Sequence, residues 1–174
     1  MEKIKADHVK ISLAVMNCHA FYRCGINTLE GSDLSKPSDQ LFKAVPSATN
    51  LCLSIEIGLK IMNESFDECF EKTHRIFQLF CSLRDDLQKV ILIMLNKVNS
   101  RSDEENINSI QKISNDFVEL RYFGLNQQNT VEIDIGFVVL FAGVVHELAL
   151  SMNPDTEEWI LQLEGKDRDT DHKS

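Results

Sequence analysis

The sequence lacks the motifs by which most catalytic sites are recognised. It contains no glycine-rich phosphate loop, no Gly-x-Ser-x-Gly nucleophile elbow and no Cys-x-x-Cys pair. His146 and Glu147 lack the second histidine that a zinc-binding helix requires. The acidic residues fall mainly in linkers and at helix ends, where they usually solvate and cap. We therefore expect no cofactor and no metal ion.

Positive charge is also scarce, because 18 Lys and Arg residues face 27 Asp and Glu residues and give a formal net charge of −9. Broad binding to nucleic acid or to an anionic membrane depends on lysines and arginines that release counterions. This balance argues against DNA and membrane partners, and it leaves room for a small basic site that binds RNA. The amino terminus lacks an apolar core, and no apolar run is long enough to span a bilayer. We expect no signal peptide and a cytoplasmic protein.

The composition is that of one folded domain. The chain has 174 residues, of which 43% are hydrophobic, and this is enough for one substantial core. Its five cysteines form an odd set inside or beside apolar runs, so we expect reduced thiols that serve as small core residues. These cysteines are Cys18, Cys24, Cys52, Cys69 and Cys81.

The stretch from Ser47 to Met62 predicts a buried helix at the centre of the fold. Its apolar residues recur at helical spacing on a stripe so wide that little of the helix can face water. Pro46 suits the start of this helix. The stretch carries two charged residues, Glu56 and Lys60, whose spacing favours an intrahelical pair. Because charges on a buried helix need partners, these two residues direct the search for a site.

Helical spacing elsewhere predicts an all-α bundle of six to seven helices, with a single domain over residues 1–164 and a disordered charged tail over 165–174. We expect Leu41 and Phe42 to anchor the connection after the first helix. The hydrophilic segment 99–105 should be exposed. The β-branched start of 131–152 permits a strand, although the length of this run favours a buried helix. The predicted helices cover residues 7–29, 47–62, 73–83, 87–98, 107–120, 131–152 and 156–163.

The histidines are scattered along the chain. His8 and His172 lie near the termini and should be exposed. His19 and His146 lie in apolar helices, where a hydrogen-bonded core histidine is commoner than a ligand or a base. His74 follows Thr73, which can cap a helix start, and the helix dipole there disfavours a proton on the imidazole. We expect a neutral, structural His74, with a functional role as the alternative.

The order of several motifs resembles that of the HEPN domains, a superfamily of helical bundles. These motifs are Ser-Ile-Glu-Ile-Gly-Leu-Lys-Ile-Met at 54–62, Thr-His-Arg-Ile-Phe-Gln-Leu-Phe-Cys-Ser-Leu at 73–83, and Asn-Asp-Phe-Val-Glu-Leu-Arg-Tyr-Phe-Gly at 115–124, followed by an apolar helix. The resemblance covers residues 48–150. It implies a HEPN-like bundle that acts through dimerisation or a protein partner in bacterial stress, toxin–antitoxin or phage defence.

The same resemblance implies metal-independent RNA cleavage in many members, through an arginine, a polar residue and a histidine that follows a few positions later. Here the arginine corresponds to Arg121, with Tyr122 beside it, and no histidine follows in Phe-Gly-Leu-Asn-Gln-Gln-Asn. The usual general base is therefore missing. His74 or His146 could replace it in space.

A simpler interpretation of these residues is structural. Glu56, Lys60, His74 and Arg121 could form a polar cluster that satisfies charges inside the bundle, with Glu56 and Arg121 as its central pair. Three functional hypotheses follow: a HEPN-like interaction module, a divergent RNase toxin that uses Arg121 and a histidine, and an unrelated helical adaptor. The adaptor hypothesis predicts an exposed apolar patch on the last long helix or around Trp159.

Overall fold

A computed structural model describes residues 2–65, 73–121 and 133–171 of the chain, without the side chains of 2–9, 120–121 and 163–171. These ranges are helical and contain no strand, which confirms the all-α fold. The residues from Pro37 to Ser65 form one continuous stretch, so the described ranges hold seven helical stretches. The elements are α1 (Glu2–Leu29), α2 (Pro37–Asp39), a π-helical turn (Gln40–Ala44), α3 (Val45–Ser65), α4 (Ile76–Cys81), α5 (Asp85–Asn99), α6 (Asp103–Arg121), α7 (Ile135–Ser151) and α8 (Pro154–Asp171).

Helix α3 lies at the centre of the bundle, as its apolar stripe predicts. It packs against α1, α4, α6 and α7. Leu51, Ile55, Leu59 and Met62 are fully buried along it. Full burial of one such side chain contributes about 1.5–3 kcal/mol, so this row of residues is a main source of the fold's stability.

The second long apolar helix, α7, begins after Asp134 and not with a strand. The Asp134 carboxylate accepts a hydrogen bond from the Phe137 amide at 3.0 Å, which caps the helix. Phe137 and Phe141 then lie in the core beside α3 and α5. The helical interpretation of this run is confirmed for its described part, and the strand alternative is wrong for residues 133–151.

Two local expectations about helix ends met different outcomes. Gly31 has a φ of +63°, a left-handed conformation that ends the path of α1 where the sequence predicts it. Thr73 does not cap α4, because the helix begins only at Ile76. The Thr73 hydroxyl instead accepts a hydrogen bond from the Arg75 backbone amide at 3.1 Å, in a turn before the helix.

The expectation that Leu41 and Phe42 anchor the connection after α1 is wrong. Their exposed fractions are 48% and 72%. Apolar character in a connection is weak evidence for burial, since much of any protein surface is apolar.

Among the cysteines, Cys18 and Cys52 are buried as expected, Cys24 and Cys81 are exposed, and Cys69 is outside the described residues.

The carboxyl-terminal part extends further as helix than the sequence pattern indicates. The backbone of α8 continues to Asp171, into the segment expected to be a tail.

Across the described ranges, no helix taken singly has both the length and the hydropathy to cross a bilayer. Of the helix pairs within these ranges, α7 with the first part of α8, to Gln162, passes that test, and the two are bent by 107° at their junction.

Candidate functional site

A buried carboxylate on the central helix organises the candidate site. Glu56 lies on α3 near the fully buried Ile55 and Leu59, and its side chain is only 7% exposed. Lys60 follows one turn later on the same side of the helix. His74 reaches Glu56 from the extended residues just before α4, which packs against α3. The charged residues singled out in the sequence are therefore brought together with His74.

Both neighbours bond to the same carboxylate oxygen. The Lys60 ammonium donates to Glu56 Oε1 at 2.7 Å, and His74 Nδ1 lies 2.7 Å from that oxygen. Distances this short are typical of charge-assisted hydrogen bonds. The cluster therefore satisfies a carboxylate that would otherwise be costly to bury.

The pKa of Glu56 reports the balance of these contacts. Burial acts to raise the pKa of the carboxyl group, but the hydrogen bonds and charges of Lys60 and His74 together outweigh that effect and hold the pKa below its usual value. Glu56 is consequently ionised at neutral pH. An ionised carboxylate can only accept hydrogen bonds, so His74 Nδ1 must be the donor.

This arrangement fixes which tautomer His74 adopts when its ring is neutral. With its proton on Nδ1, a neutral imidazole carries a lone pair on Nε2, which can accept a proton. The His74 side chain is 67% exposed, so a reactant in solvent can reach the ring. A carboxylate that orients a histidine in this way is a common element of general-base sites. The same contact also serves a purely structural role, because it ties the residues before α4 to α3.

Two further predicted site residues are Arg121 and Tyr122. Helix α6 ends at Arg121, whose backbone is described and whose side chain is outside the described part of the chain. Tyr122 is outside the described part altogether. The pairing of Glu56 with Arg121 therefore stays a prediction. It is compatible with the packing of α6 against both α3 and α4.

His146, the other predicted catalytic histidine, contacts residues of α1. Its Nε2 lies 3.0 Å from Nδ1 of His19, and its ring stacks on Tyr22 with centroids 4.2 Å apart. The sequence placed His19 and His146 separately in apolar helices but did not predict this pair, which joins positions 127 residues apart. The available sequence signal for a polar site here was the spacing of His19 and Tyr22, which are three residues apart and therefore share one face of α1.

Across the described ranges, no three His, Cys, Asp or Glu residues come together in an arrangement that could hold a metal ion. Comparisons of the chain with protein-family models, with curated proteins and with solved structures find no match.

Proposed function

We propose that this chain is a HEPN-like helical interaction module that acts as a homodimer, in a bacterial stress, toxin–antitoxin or phage-defence setting. The resemblance of its motifs supports the setting, and one feature of the fold supports self-association. That feature is an exposed apolar stripe on α5. Val90 and Ile93 are 39% and 59% exposed there, on the side of the helix opposite its buried residues.

The stripe has the symmetry that a two-fold interface requires. The face of α5 that carries this apolar stripe also carries a charged residue at each end. In order, the four residues are Asp86, Val90, Ile93 and Lys97, at spacings of four, three and four residues that place them on one face. If two copies of α5 pair antiparallel, Val90 faces the partner's Ile93, and Asp86 faces the partner's Lys97. An isologous dimer uses the same surface on both copies, and in an antiparallel pair this face places apolar residues opposite apolar residues and an acidic residue opposite a basic one.

The mass of the protein in solution tests this proposal. The monomer has a mass of 19.9 kDa, and light scattering at high protein concentration should detect twice that value. Ile93→Glu should abolish dimerisation, because it buries a charge at the centre of the interface. Leu13→Glu is the matched control, since Leu13 is 54% exposed on α1 and should leave the dimer intact. A wild-type chain that remains a monomer would contradict the proposal.

A second candidate, a metal-independent endoribonuclease, is favoured by the geometry of His74. In this mechanism, His74 Nε2 removes the proton of a ribose 2′-hydroxyl, the 2′-oxygen bonds to the adjacent phosphorus, and the P–O5′ bond breaks as the 5′-oxygen takes a proton from water. Glu56 stabilises the imidazolium that forms, and Arg121 stabilises the phosphate. The acidic balance of the chain counts against strong RNA binding.

An assay of RNA cleavage separates the two candidates. An endoribonuclease should lose activity with His74→Ala and with Arg121→Ala, and retain it with His146→Ala. Loss of activity with His146→Ala, and not with His74→Ala, would indicate that the general base belongs to the pair of His146 and His19. A wild-type protein that cleaves no RNA would remove the endoribonuclease candidate.

A further inference from the structure

A groove lies beside the start of α7, on a different part of the molecule from α5. It has a volume of about 500 Å³. This size is within the range of small-molecule sites. Its walls are aliphatic, with Leu29 and Leu34 from the end of α1 and the segment after it, and with Ile135, Val139 and Leu140 from α7. An extended hydrocarbon body would remove these side chains from water.

One end of the groove carries the Arg101 guanidinium, with the Asp134 carboxylate beside it. The Arg101 guanidinium donates to Ser109 Oγ at 3.2 Å and to Asp134 at 3.3 Å, and it lies 5.4 Å from the centre of the Phe137 ring. These three contacts come from two helices and from the cap of α7, so they hold the guanidinium in one orientation before any ligand arrives. A preorganised charge of this kind loses little entropy on binding.

The guanidinium retains donors for a ligand. It has five N–H groups. Its hydrogen bonds to Ser109 and Asp134 use two of them. Its side chain is 38% exposed, so an anion can approach from solvent. The pair with Asp134 is partly exposed and long, and such pairs contribute little by themselves. Asp134 lies beside Arg101 and repels any anion, and it repels a dianion such as phosphate more strongly than a ligand with a single negative charge.

We propose that the groove binds a small aliphatic carboxylate, with its chain against the α7 wall and its head group on Arg101. This site is independent of the α5 stripe and of the Glu56 cluster. It places a ligand between α1 and α7, and it gives Arg101 a role beyond its pair with Asp134.

Calorimetric titration of the full chain with decanoate and with 1-decanol tests the proposal. Both probes have the same chain, and only decanoate has a charge for Arg101. Decanoate should bind about tenfold more tightly than decanol, which is the advantage expected of a hydrogen bond to a charged group. Arg101→Gln should remove that advantage. Arg84→Gln is the matched control, since Arg84 also pairs with an exposed carboxylate, that of Asp86 at 2.7 Å.

A substitution in the wall tests the site itself. Val139→Phe should fill the groove and abolish binding of both probes, whereas Val118→Phe on the exposed part of α6 should leave binding unchanged. Equal affinity for decanoate and decanol in the wild type, or no binding of decanoate, would overturn the proposal. If Arg101→Gln fails to fold, the comparison of the two probes on the wild type and on Val139→Phe still decides it.

Discussion

Glu56 is the residue on which the candidate site depends. Its carboxylate receives charge-assisted hydrogen bonds from Lys60 and His74 on the central helix, where Ile55 and Leu59 beside it are fully buried. Glu56→Gln keeps the shape of the side chain but removes its charge. We expect the free energy of unfolding to fall by about 1–3 kcal/mol, because two charged hydrogen bonds are lost or weakened. Chemical denaturation at pH 7 measures this change.

The loss should depend on pH in a defined direction. Folding lowers the pKa of Glu56, so its contribution is fully present above the usual value of 4.5 and disappears as the pH falls through the lower folded-state pKa. The difference between wild type and Glu56→Gln should therefore shrink on acidification below pH 4.5. Glu64→Gln is the control, because Glu64 pairs with Lys10 at an exposed site and should change stability by less than about 0.5 kcal/mol. A difference that grows in acid would contradict this account.

The predicted pair between Glu56 and Arg121 requires its own test. If the two groups are paired away from water, Arg121→Ala should destabilise the fold by about 3–5 kcal/mol. A double-mutant cycle with Glu56→Gln should then give a coupling free energy above about 0.5 kcal/mol. Additive effects, or an Arg121→Ala variant with unchanged stability, would remove Arg121 from the cluster.

At the scale of helices, the contact at Gly58 limits how closely α3 and α7 can pack against each other. A Cβ atom on Gly58 would lie 2.4 Å from Cγ1 of Val145, so a side chain at residue 58 would require the Val145 side chain or the helices themselves to shift. Gly58→Ala should cost about 1–3 kcal/mol through overpacking, against a gain of about 1 kcal/mol in helix propensity.

Gly143→Ala on α7 is the matched control, because the nearest atom to its Cβ is the Tyr22 hydroxyl at 3.6 Å, an ordinary contact. That variant should be as stable as the wild type or more stable, as thermal unfolding will measure. If Gly58→Ala is stabilised to the same degree, the close approach of α3 and α7 does not limit the packing.

The sequence could predict the helices better than their contacts. Helical periodicity over many residues places α3, α5 and α7, because a helix buries one stripe whatever its partner is. The same logic failed for Leu41 and Phe42, where a short segment has no period to read. Arg101 was expected in an exposed linker, yet it packs on Phe137, since a guanidinium can lie against an aromatic ring while it remains half exposed.

At the scale of the whole molecule, pairs between distant helices were the hardest to predict. The sequence singled out Glu56, Lys60 and His74, because charges in apolar surroundings need partners, and the structure brings these three together. It gave no partner for His146, whose contact with His19 depends on how α1 and α7 are rotated against each other. That rotation follows from packing of the complete core, so the shared face of His19 and Tyr22 on α1 could indicate a polar site but could not identify its partner.

The most direct test of the proposed dimer is a charge exchange across its two-fold axis, measured as the dissociation constant by sedimentation. Asp86→Lys and Lys97→Glu each place like charges opposite one another in an antiparallel α5 pair, so each should weaken the dimer. The double variant restores both pairs with their signs reversed and should dimerise like the wild type. If each single variant dimerises as well as the wild type, or if every form sediments at 19.9 kDa, the chain does not act through this surface.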